Sequence, residues 1–336
     1  MNSRELNFLI RLISSPTKIS KNEFYNINYE NFVKYSSAHL MLPAIYSILK
    51  KQGFLKYIPK DLNMFLKEIY MMNKERNIVL KKEILEIAKF LNEHDIKYTL
   101  IKGSSMIMKN IFIDIGERMI GDIDILINED QADEVINLLN KKGYFNEYLY
   151  KFWDSNVYPN FINKKKIFSL DIHKNLLPKK YKNLISSSEA LERSINLANG
   201  VKVLNNYHEI NYLIYNYQLC DFGYLRANYS LKKLYDIQRL STNNKTEIDK
   251  NKYSYNFFEV LRIKGINFNS KKNKKNWALD LRIKMRKKSA IYNFFDKFTC
   301  DTIIFFKDIN IKIIEFTLNR NYRIMTIKKL LLIVKK

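Results

Sequence analysis

Three patterns of hydrophobic and polar residues follow one another along the chain. Residues 1–92 carry apolar side chains at helical spacing, including one long run from about Asp61 to Glu93, and this spacing predicts an N-terminal helical region. Residues 93–177 alternate short strand-like runs with helical segments. Helical spacing returns from 178 to 336 and predicts a C-terminal helical domain. The chain is therefore expected to be an α+β protein whose small mixed β-sheet has helices on one face.

Turn and stop signals place the individual elements. The strands expected in the core are Lys97–Ile101, Ile120–Ile127, Tyr144–Phe152, Val157–Asn163 and Ile167–His173. Among the expected helices are Tyr29–Lys51 with a kink at Pro43, Ser188–Ala198, Leu225–Leu240, Lys274–Phe298 and Tyr322–Val334.

Acidic residues interrupt two of the apolar strand patterns. Successive side chains of a strand alternate faces, so Asp122 and Asp124 share one face while Ile123 points into a core. Two neighbouring carboxylates repel each other, and a hard divalent cation with oxygen ligands relieves that repulsion. Asp171 lies in a similar pattern on a later strand. A third carboxylate of this kind is what a second metal ion needs.

A strand-to-helix turn at Gly103-Ser104-Ser105 offers a second kind of chemistry. Glycine lets the backbone approach a ligand closely. Free backbone N–H groups at the start of a helix bind anions, and serine hydroxyls add donors. Lys102 places a positive charge beside the turn. The glycine spacing of a P-loop is absent, so an anion site here has to be built differently.

The charge of the chain allows two interpretations. The 336 residues carry a formal net charge of +24, and 46% of them are hydrophobic, which is ample for a buried core. The charge suits an anionic partner such as a nucleic acid, a nucleotide or a membrane surface. It is also typical of lysine use on a solvated surface. Local clusters of lysine occur at 164–166, at 179–182 and between 271 and 288.

Cysteine use and hydropathy indicate the compartment. Cys220 and Cys300 are the two cysteines, which gives no disulfide framework and no metal-ligand spacing. No apolar run approaches the ~20 residues of a membrane helix, and residues 1–15 lack the core of a signal peptide. A cytoplasmic protein without a transmembrane segment is expected, and peripheral membrane contact stays open.

Taken together, the motifs resemble a known family. Lys102-Gly103, Arg118, Gly121-Asp122-Ile123-Asp124 and Asp171-Ile172-His173 are similar to the motifs of the bacterial uncharacterised nucleotidyltransferases, which belong to the DNA polymerase beta-like nucleotidyltransferase superfamily. The resemblance spans roughly residues 30–265, and its most specific part is 97–173.

The resemblance implies an enzyme that depends on Mg²⁺ or Mn²⁺. It would move a nucleoside monophosphate from a nucleoside triphosphate such as ATP to an acceptor hydroxyl, with release of pyrophosphate. In such an enzyme the metal-binding and catalytic residues are Asp122, Asp124 and Asp171. The residues expected at the phosphates are Lys102, Gly103, Ser104, Ser105 and Arg118. Lys102 and Arg118 could equally form ion pairs, and His173 is expected on the acceptor side or behind the metal ligands.

The acceptor and the catalytic competence are left open by the motifs. An RNA end, such as tRNA in a toxin-like enzyme, suits the positive charge, but a protein hydroxyl, an antibiotic or a sugar fits equally well. A non-catalytic nucleotide- or RNA-binding module on the same fold is the main alternative. A helical scaffold protein would leave the paired acids unexplained. No oligomeric state is indicated.

Overall fold

The computed structural model describes residues 4–146, 157–241, 247–266 and 276–318, together with a few positions from 320 to 327. The helices of the N-terminal half are α1 (Arg4–Ser14), α2 (Lys21–Phe24), α3 (Tyr29–Ala38), α4 (Leu42–Lys51), α5 (Lys60–Glu93), α6 (Lys102–Met108) and α7 (Ala132–Lys141). Those that follow are α8 (Ser187–Glu192), α9 (Asn206–Leu219), α10 (Gly223–Arg226), α11 (Leu231–Ser241), α12 (Lys252–Ile263), α13 (Trp277–Lys288) and α14 (Ala290–Leu318).

One mixed sheet lies among these helices. Its strands are β1 (Tyr98–Leu100), β2 (Ile123–Ile127), β3 (Val157–Phe161), β4 (Leu170–His173), β5 (Ile195–Asn196) and β6 (Lys202–Val203). The spatial order is β3-β4-β2-β1-β6-β5. The β2–β4 and β1–β6 pairs are parallel, whereas β1–β2, β3–β4 and β5–β6 are antiparallel. The α+β class with a small mixed sheet between helical regions is thereby confirmed.

Side chains on both faces of β2 pack against helices. Ile123, Ile125 and Ile127 join a core with the second half of α5 and with α7. Leu126, on the opposite face, joins a larger core built by the N-terminal and C-terminal helices. The expectation of helices on one face is therefore wrong. A central strand with apolar residues on both faces needs a cover on each side.

Several predicted helices are divided or shortened. The expected helix Tyr29–Lys51 breaks between α3 and α4, where Leu40 adopts a positive φ of 55°. Pro43 lies in the first turn of α4, where its missing N–H costs nothing. Ala227, with φ of 47°, likewise separates α10 from α11. A left-handed residue ends a helix by turning the chain, and apolar spacing alone does not reveal it.

Other boundaries also differ from the expectations. The helix expected at 188–198 stops at Glu192 and is followed by β5. The helix expected at 274–298 ends at Lys288, and α14 then continues to Leu318. The expected strand 144–152 and helix 322–334 lie largely outside the described residues, although Phe145 forms a bridge with Ile162. None of the described helices combines the length and the apolar character that crossing a bilayer requires.

The largest core cluster unites side chains from all three predicted regions. Phe32 comes from the N-terminal helices, Leu126 from the sheet and Leu213 from the C-terminal helices. The division at residues 92 and 177 stays a prediction, and the shared core indicates that the sheet is held from both ends of the chain.

Two buried charged residues connect the sheet to the helices around it. The segment between α6 and β2 carries Glu117 and Arg118, which are 1% and 7% exposed. Glu117 accepts hydrogen bonds from the hydroxyls of Ser47 on α4 and Tyr235 on α11, at 2.6 and 2.7 Å. Arg118 donates from Nε and Nη2 to the two carboxylate oxygens of Asp236 on α11, at 2.7 and 2.8 Å. A two-pronged arginine–carboxylate pair fixes orientation as well as distance.

We expect Asp236→Asn to lower the free energy of unfolding by about 3 kcal/mol, because it leaves the buried Arg118 guanidinium without its counter-charge. Chemical denaturation monitored by circular dichroism measures this loss. The matched control is Glu93→Gln, which removes the exposed ion pair with Lys89 and should change stability by less than about 0.5 kcal/mol. Equal effects of the two substitutions would contradict the role given to Asp236.

Candidate active site

Parallel pairing of β2 with β4 brings acidic residues together. In this register Asp124 lies opposite Asp171, and Leu126 lies opposite His173. Residues two apart on a strand share a face, so His173 follows Asp171 on the same side of the sheet. One oxygen each from Asp124 and Asp171 and one ring nitrogen of His173 all lie within 4.8 Å of one another.

Asp124 is the most enclosed member of this cluster. It is 3% exposed, and its Oδ1 accepts a hydrogen bond from Lys102 Nζ at 2.6 Å and contacts His173 Nε2 at 2.9 Å. Burial favours the protonated form, but Lys102 and His173 outweigh it and lower the pKa of Asp124 to about 2. Burial also opposes the charge of Lys102, yet the pKa of Lys102 is raised by Asp124 and neighbouring groups. This ion pair stays charged at neutral pH.

Asp171 faces the cluster from β4 with one oxygen held in place. Its Oδ1 accepts a hydrogen bond from the backbone N–H of Asn160 at 2.9 Å. Asn160 has a positive φ of 56° and lies where the β3–β4 register shifts. Burial, and then the nearby charge of Asp124, raise the pKa of Asp171. The second oxygen of Asp171 makes no hydrogen bond within the described part of the chain.

Asp122 lies immediately before β2 rather than within it. Its carboxylate is half-buried and makes no hydrogen bond or ion pair with any described residue. Burial raises the pKa of Asp122, and so do Asp124 and Asp171, against the opposing charges of Lys102 and Lys232. The group of ligand atoms within 4.8 Å contains His173 in place of Asp122, and Asp122 stays a predicted metal ligand.

His173 is buried and offers a free ring nitrogen. A carboxylate only accepts hydrogen bonds, so the imidazole must carry its proton on Nε2, which faces Asp124. Nδ1 is then a bare acceptor, and it has no partner among the described groups. Burial, reinforced by the charge of Lys102, lowers the pKa of His173 and keeps the ring neutral.

The donor set fits a divalent cation. Carboxylate oxygens suit Mg²⁺ and Mn²⁺ alike. Three features support the fit: the free oxygen of Asp171, the unpartnered Asp122 and the raised pKa values of both carboxyls. Positive charge placed here relieves a repulsion that the protein alone only partly compensates.

Residues at the start of α6 form hydrogen bonds with other segments of the protein. The hydroxyl of Ser104 donates to the backbone oxygen of Asp122 at 3.3 Å and accepts from the N–H of Asp124 at 3.2 Å. A Cβ on Gly103 would lie 3.0 Å from Ile120, so glycine permits close packing here. The backbone N–H of Lys102 donates to the buried carboxylate of Glu209 at 2.9 Å. Ser105 is fully buried.

This arrangement bears on the phosphate-binding prediction. The carboxyl group of Glu209 already accepts a backbone N–H at the beginning of α6, and Ser104 is used to fix the start of β2. Arg118 is committed to Asp236. Direct phosphate contact by these residues stays a prediction, and their observed contacts hold Lys102 and Asp124 in position.

The sequence analysis missed two cations beside Asp122. Arg76 on α5 donates to the backbone oxygens of Ile120 and Gly121. Burial lowers the pKa of Arg76, and the charge of Asp122 opposes that shift. Lys232 on α11 is half-buried without a hydrogen bond or ion pair to any described residue. Burial, together with Arg118, lowers the pKa of Lys232 to about 8, and Asp122 opposes that shift. Neither residue carries a local motif, because both reach the site from helices distant in sequence.

The fold is therefore of the α+β class. Its candidate site is a cluster of aspartates and one histidine with lysine side chains nearby. The chain matches the family described as uncharacterised nucleotidyltransferase over residues 25–256. Since the match covers most of the chain, the protein belongs to this family, which confirms the resemblance inferred from the motifs at the level of the family. The matched range includes the whole site and ends before α13. Comparison with curated proteins finds no match.

We expect substitutions of the two register-paired aspartates to have opposite effects when a chelator removes metal ions. At neutral pH Asp171→Asn should stabilise the protein, because ionised Asp171 has a raised pKa in the folded state and is destabilising there. Asp124→Asn should destabilise it by roughly 2 kcal/mol, since the pKa of Asp124 is lowered to about 2. Denaturant unfolding in EDTA measures both effects.

The pH dependence provides the control for this pair. Protonated Asp171 is neutral like asparagine, so the advantage of Asp171→Asn should shrink as the pH falls through the raised pKa of Asp171. Destabilisation by both substitutions at neutral pH would contradict the electrostatic description of the cluster.

Proposed function

We propose that the protein is a metal-dependent nucleotidyltransferase of the DNA polymerase beta-like superfamily. It moves a nucleoside monophosphate from a nucleoside triphosphate to an acceptor hydroxyl and releases pyrophosphate. The observation that carries this proposal is the in-register pairing of Asp124 with Asp171 on parallel strands, next to Asp122 and two lysines. Membership of a nucleotidyltransferase family supports it.

In this proposal the aspartates bind the metal ion, and one of them accepts the proton of the acceptor hydroxyl. Asp122, Asp124 and Asp171 would hold Mg²⁺ or Mn²⁺, and His173 would orient Asp124 from behind through the hydrogen bond from its Nε2. A bound divalent cation supplies charge neutralisation for the triphosphate and orients its phosphates. The second oxygen of Asp171 is placed to accept the proton of the acceptor hydroxyl, since its pKa is raised and that oxygen is free.

Lysines neutralise the phosphates in this proposal. Lys102 Nζ lies 2.6 Å from Asp124 Oδ1, and its charge would help to neutralise the phosphates of a nucleotide bound beside the aspartates. Lys232 has no competing partner among the described residues and faces Asp122. Gly103, Ser104 and Ser105 contribute by fixing the start of α6, and Arg118 by fixing α11. Positioned charge of this kind supplies most of the catalysis in phosphoryl-type transfers.

The decisive test is label transfer from α-³²P-labelled nucleotides with Mg²⁺ or Mn²⁺ and a cell extract as the acceptor source. We expect Asp124→Ala and Asp171→Ala to reduce transfer by at least about a hundredfold, because each removes a charge that the transition state needs. The control is Asp130→Ala, which removes an exposed acid outside the site. Nucleotide binding without pyrophosphate release in the unsubstituted protein would identify a non-catalytic module instead.

Lys232→Ala tests the role of the lysine that the sequence did not reveal. A lost charged hydrogen bond to phosphate costs about 1.5–3 kcal/mol, so we expect the KM for the nucleotide to rise about tenfold or more. The binding isotherm of a non-hydrolysable triphosphate should shift equally, while the metal-induced rise in Tm persists. Lys89→Ala on the exposed surface of α5 is the control. An unchanged KM would remove Lys232 from the phosphate site.

A further inference from the structure

The last long helix presents an uncovered apolar face. Six side chains of α14 form what we call the aromatic stripe: Ile291, Phe294, Phe295, Phe298, Phe305 and Phe306. Each of them exposes between 58% and 72% of its surface. At 3.6 residues per turn they fall within an arc of about 120° on one side of the helix. Phe294 stacks against Phe298, and Phe305 contacts Phe306, so the rings form two groups that follow each other along one face of the helix.

The opposite side of α14 is fixed to the protein body. Asp296 forms ion pairs with Arg282 and Arg286 of α13. Cys300, on the same side as Asp296, is 3% exposed, and Asp301 at the edge of the stripe pairs with Arg226 of α10 at 2.9 Å. These contacts determine which way the helix faces. The aromatic stripe therefore points to solvent as a built feature of the fold, and rotation of α14 cannot bury it without breaking three ion pairs.

The exposed area is at the upper end of what a monomer normally shows. Six such side chains at these exposures present roughly 600 Å² of apolar area, and the largest apolar patches of monomers, about 300–600 Å², often have a function. The stripe lies outside the family match, which ends at residue 256, and no part of the proposed chemistry uses it. We therefore expect the stripe to bind a partner that the proposed chemistry does not involve.

Electrostatic charge indicates which kind of partner binds the aromatic stripe. The chain carries a net charge of +24, so two copies brought together at this face would repel each other. Lys287 and Lys288 precede the stripe, and Lys297 and Lys312 lie on α14 itself; all four are exposed. The four acids of α14 slightly outnumber its three lysines, so the excess of positive charge lies on α13 and in the residues that follow α14. Residues 319–336 contain six further Lys or Arg and no Asp or Glu. An anionic surface attracts such a segment, at about 1 kcal/mol for each nearby basic residue.

We infer that the aromatic stripe docks the protein on the surface of an anionic lipid bilayer, with α14 lying parallel to the membrane plane. The phenylalanine rings enter the boundary between headgroups and acyl chains, as the apolar face of an interfacial helix does. The lysines beside them contact lipid phosphates. The ion-paired side of α14 stays on the protein, which holds the nucleotidyltransferase site at the membrane surface.

Vesicle co-sedimentation of the full chain tests this inference. The vesicles are phosphatidylcholine alone and an equimolar mixture of phosphatidylcholine with phosphatidylglycerol. We expect binding to the mixed vesicles to exceed binding to phosphatidylcholine. The triple variant Phe294→Ser, Phe298→Ser and Phe305→Ser should bind the mixed vesicles at least about a hundredfold more weakly, since one buried phenylalanine contributes about tenfold.

A matched variant separates the stripe from general surface hydrophobicity. Tyr25→Ser, Ile113→Ser and Ile167→Ser remove three exposed apolar side chains that lie apart from one another, and this variant should bind vesicles like the unsubstituted protein. Circular dichroism and thermal unfolding confirm that both triple variants are folded. Because the substituted phenylalanines are exposed, folding should persist.

Three results would overturn the inference. The unsubstituted protein could stay in the supernatant with mixed vesicles. The phenylalanine variant could sediment as the unsubstituted protein does, which would assign binding to lysines alone. Light scattering could show a dimer that the phenylalanine variant dissociates while vesicles are not bound, and the stripe would then be a seam between copies. None of these outcomes depends on nucleotide transfer.

Discussion

The repulsion between carboxylates on two adjacent parallel strands is the constraint around which the site is built. Parallel register places Asp124 directly beside Asp171, and the fold adds Asp122 at the start of the same strand. Three acids in a half-buried setting are unfavourable unless positive charge compensates them. The protein compensates Asp124 with the charge of Lys102 and a hydrogen bond from His173. It leaves Asp122 and Asp171 with raised pKa values.

This unequal compensation separates structural from chemical roles. Asp124 is held by two hydrogen bonds and anchors the cluster, whereas Asp122 and the second oxygen of Asp171 have no described partner. Groups that are destabilised in the folded protein are the ones that gain most from a bound cation or a proton. At neutral pH the folded protein therefore retains part of the repulsion between Asp122 and its acidic neighbours.

Around the site, buried charge serves a different purpose. Glu117 and Arg118 join the segment before β2 to α4 and α11. That segment also receives hydrogen bonds from Asn73 and Asn77 of α5, which donate to the backbone oxygen of Arg118. The same contacts bring α11, and with it Lys232, to the side of Asp122. Helices from both ends of the chain thus position the acidic strand and one of its counter-charges.

The sequence by itself determined the class of fold and the long helix α5. Hydrophobic periodicity is local, and so are these features. Asp171 and His173 were found because their strand repeats the same acidic pattern. The sequence analysis missed the short strands β5 and β6. It also missed the helix breaks at Leu40 and Ala227, because a left-handed residue leaves little trace in apolar spacing.

Only the tertiary structure decided which charges meet. In the folded protein Arg118 forms an ion pair with Asp236, Glu209 lies at the start of α6, and Lys232 interacts electrostatically with Asp122. Each of these contacts joins residues about a hundred positions apart, and local spacing carries no information about such distances. Pairing between charges depends on the packing of whole helices, and that packing exists only once the chain has folded.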